Sequence, residues 1–152
     1  MRRTDDPPAR ETTDRPTVTR AVAVTAALST LLGLAHHVDH VVRGNHVGWP
    51  VTGQVNPFTY SLAIYPFVAV GLYLTVTGRV GNRYWAGFFA CSAAMLAYFH
   101  VSPWAIEPPG DVILPYADPT AGYLAFAVLL ALIASVTLGS LFAAVAWSRE
   151  TA

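Results

Sequence analysis

The stretch AVAVTAALSTLLGLAHHVDHVVR, residues Ala21 to Arg43, decides how this chain must be read. From Ala21 to Ala35 it holds no charged group, and at ~1.5 Å of rise per residue the stretch can cross a ~30 Å hydrocarbon layer as a helix. It then sets His36, His37, Asp39, His40 and Arg43 at one end. At ~100° per residue all five fall on one side of the helix. Ser29 and Gly33 continue that stripe, while Leu28, Leu31, Leu34, Val38, Val41 and Val42 fill the rest of the circumference. Ionisable groups that begin inside an apolar layer are costly unless paired, so the stripe should face the protein interior, and a functional site is its default reading.

The rest of the chain repeats the apolar pattern. With Ala21 to Arg43 as the first span, further spans are expected at Pro57 to Gly78, Tyr84 to Val101 and Pro119 to Trp147. Asn56-Pro57 and Asp118-Pro119 each supply a side-chain acceptor at the N-cap and a proline at the first helical position, where its missing N–H costs nothing. Pro66 should kink the second span. In the fourth, Ala131 with Ser135, Gly139 with Ala143 and Ser140 with Ala144 are small pairs at four-residue spacing, which permit close helix approach. Apolar residues make up 54% of the 152 and charged residues 12%, about half the charged fraction of a soluble domain. The expected fold is all-α, an integral membrane four-helix bundle over residues 21–148. Residues 1–20 hold half of the charged groups together with Pro7, Pro8 and Pro16, and read as a disordered cytoplasmic tail.

Arginine sets the expected orientation. It is abundant in the tail, recurs at Arg79 and Arg83 in the second connection and at Arg149, and is absent from the third connection, whose charges are Glu107, Asp111 and Asp118. The positive-inside rule then places both termini in the cytoplasm, with Trp49 and Trp104 at the outer interface and Trp85 and Trp147 at the inner one. A leader cleaved after Ala35 is the competing reading; the long leading region with four acids speaks against it. Zero net charge without any lysine excludes a broad nucleic-acid surface. Cys91, the one cysteine, reads as a packing residue.

All five histidines fall on the outer side of this topology. His36 and His40, one turn apart, are candidate ligands of a transition metal ion, with His100 at the end of the third span as a further ligand, and His46 or an acid completing the set. Haem between His36 or His40 and His100 is the second possibility. His37, Asp39, Arg43 and His46 are placed around the centre, Asp39 orienting a ligand. Arg43 with a protonated histidine could instead grip a phosphate or carboxylate. Tyr60, Ser61, Tyr98 and Tyr123 could supply hydroxyls, and the proline-rich third connection, Pro103 to Thr120, reads as a lid. The expected function is a metal- or haem-binding membrane protein acting on a lipid or small molecule. The alternative is a non-catalytic subunit, a homo-oligomer or the companion of another membrane protein, whose polar stripe pairs with partner helices.

Overall fold

A computed structural model describes residues 17–44 and 55–152, and these are helical with no strand among them. The elements are α1 (Arg20–Arg43), α2 (Pro57–Ser61), α3 (Ile64–Val76), α4 (Asn82–His100), α5 (Pro109–Ile113) and α6 (Pro119–Glu150). Three helical stretches are long and apolar enough to cross a membrane, namely α1, α2 with α3 taken together, and α6. The 19-residue α4 is not among them. It spends polar residues at both ends, Asn82 and Arg83 at its start and His100 at its close.

Local chemistry starts the helices as their sequences demand. Asn56 Oδ1 accepts the Thr59 N–H (2.9 Å) while Thr59 Oγ1 accepts the Asn56 N–H (2.8 Å), a reciprocal cap that leaves Pro57 at the first position. Asp118 Oδ1 accepts the Thr120 N–H at 2.9 Å in the same manner. Gly44 and Gly78, which follow α1 and α3, have φ of 74° and 68°, values that glycine alone adopts at little cost. The second span is distorted between α2 and α3, where Leu62 and Ala63 keep right-handed helical dihedrals (φ −62°, ψ −19° and φ −60°, ψ −17°) without the regular α-helical bonds. Proline at position 66 cannot donate to Leu62 O, and the Tyr65 N–H takes that acceptor at 3.2 Å, tightening the chain into a turn.

α6 is the central post, with α1, α4 and α5 packed against it. Lipid tails are as apolar as leucine, so close contact must come from shape and from hydrogen bonds between helices. Ser29 and Ser135 bond each other at 2.8 Å in the α1–α6 seam, and Ser140 Oγ donates to Ala86 O at 3.3 Å in the α4–α6 seam. A Cβ on Gly139 would lie 2.9 Å from the Phe89 ring. Ser135, Gly139, Ser140 and Ala143 of α6 are thus turned into these seams, while Ala131 and Ala144 are exposed. Trp85 and Phe89 fill the core with Val22, Leu132 and Val136. Trp85 thus departs from the interfacial place expected of it: it is 1% exposed, and its indole N–H donates to Thr75 Oγ1 at 3.0 Å. Trp147 is half-exposed with the Arg83 guanidinium over its ring, Trp104 is exposed, and Trp49 lies outside the described residues.

One set of contacts fixes which helix ends lie together. Asn82, at the start of α4, accepts the Thr19 N–H (3.3 Å) before α1 and donates to Thr17 O (3.2 Å) and to Glu150 Oε1 (2.6 Å) at the end of α6. The start of α1, the start of α4 and the end of α6 therefore share one end, and the histidines lie at the other. Of the expected tail, Thr17 to Arg20 belong to this ordered end, and residues 1–16 lie outside the described residues.

Gly139→Leu should lower stability by about 1–3 kcal/mol through overpacking against Phe89, whereas Gly87→Ala, whose added Cβ meets nothing within 4 Å, should be neutral or slightly stabilising. Thermal unfolding followed by circular dichroism in detergent reads the difference; equal melting temperatures would contradict the close approach of α4 and α6.

Candidate metal centre

The inward stripe of α1 carries His36 and His40 one turn apart on the face that also buries Ser29 and Asp39. His100 closes α4, is buried, and meets this face from across the bundle. The fourth group comes from the connection that follows. The Glu107 N–H donates to Phe99 O at 3.0 Å, folding the chain back over the end of α4 and sending the carboxylate inward, where it is 0% exposed. His36, His40, His100 and Glu107 each offer one ligand atom, and the four atoms all lie within 4.8 Å of one another.

The spacing inside the group is informative. Glu107 Oε2 lies 3.1 Å from His100 Nδ1 and 3.4 Å from His40 Nε2. Bonds of about 2.0–2.2 Å place neighbouring donors of a tetrahedral metal site about 3.3–3.6 Å apart. His36 Nδ1 is buried and makes no hydrogen bond among the described residues, which such an atom rarely tolerates, whereas Glu107 Oε2 and His100 Nδ1 meet as an ion pair. The His36 ring stands edge-on to His40 and to His100, with centroids 4.7 and 4.9 Å away.

Arg43 ties the surroundings together. Its side chain is fully buried, and its Nε donates to Asp39 Oδ2 (2.7 Å) while Nη1 donates to Glu107 Oε1 (2.6 Å) and to the Asp111 carbonyl (2.9 Å). The Tyr116 hydroxyl donates to the other Asp39 oxygen. The proline-rich connection therefore covers this end of the bundle through Glu107, the short α5 and Tyr116. Burial pushes the Glu107 carboxyl up, but the approach of His100, the charge of His40 and the Arg43 guanidinium outweigh it and hold the group down at about 2. Burial, with the Asp39 carboxylate beside it, pushes the Tyr116 phenol up to about 12.

The structure brings His36, His40 and His100 together and sets Asp39 and Arg43 beside them. His37 turns away toward α2 and α3, with Nε2 2.8 Å from Ser61 Oγ and Nδ1 2.8 Å from Gly33 O and 2.9 Å from the Tyr65 hydroxyl. His46 lies outside the described residues. Glu107, Tyr65 and Tyr116 were not among the expected site residues. Glu107 was visible only as an acid seven residues beyond His100, in a segment whose path back over α4 no spacing rule supplies. Comparison of the chain with protein-family models, with curated proteins and with solved structures finds no match in any of the three. Function must therefore be read from the chemistry of the site.

Arg43→Leu leaves Asp39 and Glu107 buried without their cation and should cost about 3–5 kcal/mol of stability, which thermal unfolding will register. Because the Tyr116 pKa lies above the ordinary value of about 10, the hydroxyl's bond to Asp39 should be intact below about pH 10 and lost as pH climbs through about 12. The phenolate absorbance of wild type minus that of Tyr116→Phe isolates this group; ionisation near 10 would contradict the bond.

Proposed function

We propose that this chain is an integral membrane protein that binds one transition metal ion through His36, His40, His100 and Glu107, at the extracytoplasmic end of a four-span bundle. The observation that carries the reading is the convergence of three imidazoles and a carboxylate, their ligand atoms within 4.8 Å, with the buried His36 Nδ1 making no hydrogen bond among the described residues. Charge supports it too. With neutral imidazoles, Asp39, Glu107 and Arg43 leave one net negative charge in the buried site, which a bound cation offsets. Mixed imidazole and carboxylate donors suit zinc, iron or copper more than calcium or magnesium. A bare ion fits better than haem, because the His36 ring touches both neighbours and leaves no slab between them for a macrocycle. Arg43 and Asp39 position the set, Arg43 by fixing Glu107 and Asp39 by holding Arg43.

Membrane insertion rests on the three apolar helical stretches. For α4 the support is geometric. It runs from the end shared with Thr19 and Glu150 to the histidine end, and its 19 residues span about 28 Å at ~1.5 Å each. Four passes return both termini to one side, and the arginines at positions 20, 79, 83 and 149 mark that side as cytoplasmic. Against the reading as a companion subunit, Ser29 and Asp39 of the α1 stripe and Ser135 and Gly139 of α6 meet partners within the chain.

Elemental analysis of the purified protein should find one transition metal ion per chain. His36→Ala, His40→Ala, His100→Ala and Glu107→Gln should each lose most of it; His37→Ala should retain it, and Asp39→Asn should weaken affinity about 10- to 100-fold. Full metal retention in the first four variants would sink the assignment. A cysteine placed at position 81 in a Cys91→Ala background should label only from the cytoplasmic side, and one at position 112 only from outside; the reverse pattern inverts the topology.

A further inference from the structure

α3 meets α1 through Tyr65, which bonds His37 as Ser61 before it does, and meets α4 through Tyr84, which reaches Phe67 and Gly71, and through Trp85, which bonds Thr75. Among α1, α3, α4 and α6 lies a cavity of about 390 Å³ that reaches from His40 down α1 to Ala26. Its lining spans a rise of fourteen residues of α1, about 21 Å at ~1.5 Å each, so the space is elongated along the helix axis, as an extended hydrocarbon chain is.

The histidines of the lining gather at one end, and the hydroxyls lower down, Ser29, Thr30 and Ser92, are bonded within the protein. His36, His37, His40, His100 and Ser61 ring the top, and most of the lining below them is apolar, with Phe88, Met95, Leu96, Leu132 and Val136 among it. A ligand matched to this shape has a hydrocarbon tail along the bundle axis and a compact polar head among the imidazoles. We infer that the cavity takes a single-chain amphiphile whose head carries an oxygen donor, seated with that oxygen at the metal centre and its tail running toward Trp85. This rests on the metal reading above, because the ion is what the head oxygen binds, whereas the tail site depends on the cavity alone. His37, with Ser61 and Tyr65 bonded to it, makes a polar wall beside the head, and none of the three is part of the ligand set.

Gly33 provides the control. It lines the cavity one turn below His37, and an added Cβ there meets nothing within 4 Å, so Gly33→Leu should fold, keep its metal and block the tail. Met95→Trp does the same from α4. The test uses the full chain in nanodiscs of diacyl lipid, with dodecyl hydroxamate bearing a terminal photoreactive diazirine; the hydroxamate is a metal-chelating oxygen head. Labelled residues are mapped by peptide mass spectrometry, and metal content is measured on the same samples. Labelling should concentrate on Phe88, Leu132 and Val136, and excess unlabelled dodecyl hydroxamate should remove it while sparing lipid-facing Leu130, Leu138 and Leu141. Gly33→Leu or Met95→Trp fills space that the tail would occupy, so each should remove most of the cavity labelling with metal unchanged. Metal-loaded protein labelled only on lipid-facing residues, or cavity labelling unaffected by both variants, overturns the proposal and leaves the metal reading standing. Cavity labelling of protein that takes up no metal upholds the tail site and overturns both the metal reading and the seating of the head oxygen.

Discussion

The buried fork of Arg43 is the constraint on which the rest of the site depends. One guanidinium holds Asp39 on its own helix, Glu107 from the connection after α4, and the Asp111 carbonyl of α5. Such a group is not a cheap source of stability, because removing charges from water costs several kcal/mol per ion and their attraction repays this only with good geometry. What it supplies is position. A carboxylate on a proline-rich connection is otherwise free to sample solvent, and Arg43 at 2.6 Å from Oε1 leaves the second oxygen, Oε2, directed at His40 and His100. Asp39, with both oxygens engaged by Arg43 and Tyr116, keeps the guanidinium in place.

The membrane reading changes how these interactions count. Apolar contact between helices gains little where the alternative is lipid, so the seams are closed by small residues and hydroxyl pairs, with Trp85 and Phe89 filling the space between. The half of the bundle away from the histidines is tightly packed around α6, while the half near them is held by charge and by the covering connection. α3, set off from α2 by the distortion ahead of Pro66, walls one side of the cavity beneath the histidines. The site thus sits where α6, α1 and α4 meet an elongated, mostly apolar cavity.

Much of this arrangement was legible in the chain. The lipid-facing set on α1 and the buried stripe of Ser29, His36 and Asp39 follow from a helical period alone, as do the helix starts at Pro57 and Pro119 from their caps. His36 with His40 followed from one-turn spacing, and His100 from its place at the same end of another span. The misses have a common physical origin in chain segments whose path depends on tertiary contacts. Glu107 became part of the site because its own N–H bonds back to Phe99 O, and no periodicity encodes that return. Trp85 was assigned to the interface from residue type, yet the shape of the α3–α4 seam and a hydroxyl on Thr75 drew it into the core. Pro66 signalled a distortion, and its form, a tightened turn at Leu62 and Ala63, depends on where the neighbouring carbonyls find donors.

The central claim is that three imidazoles and one carboxylate hold a metal ion at the end of the bundle, and X-ray absorption at the edge of the metal that co-purifies with the protein tests it most directly. The account predicts a shell of about four nitrogen and oxygen neighbours at about 2.0–2.2 Å with the outer-shell scattering of three imidazole rings. A shell with no imidazole signature, or one dominated by sulfur, would contradict it.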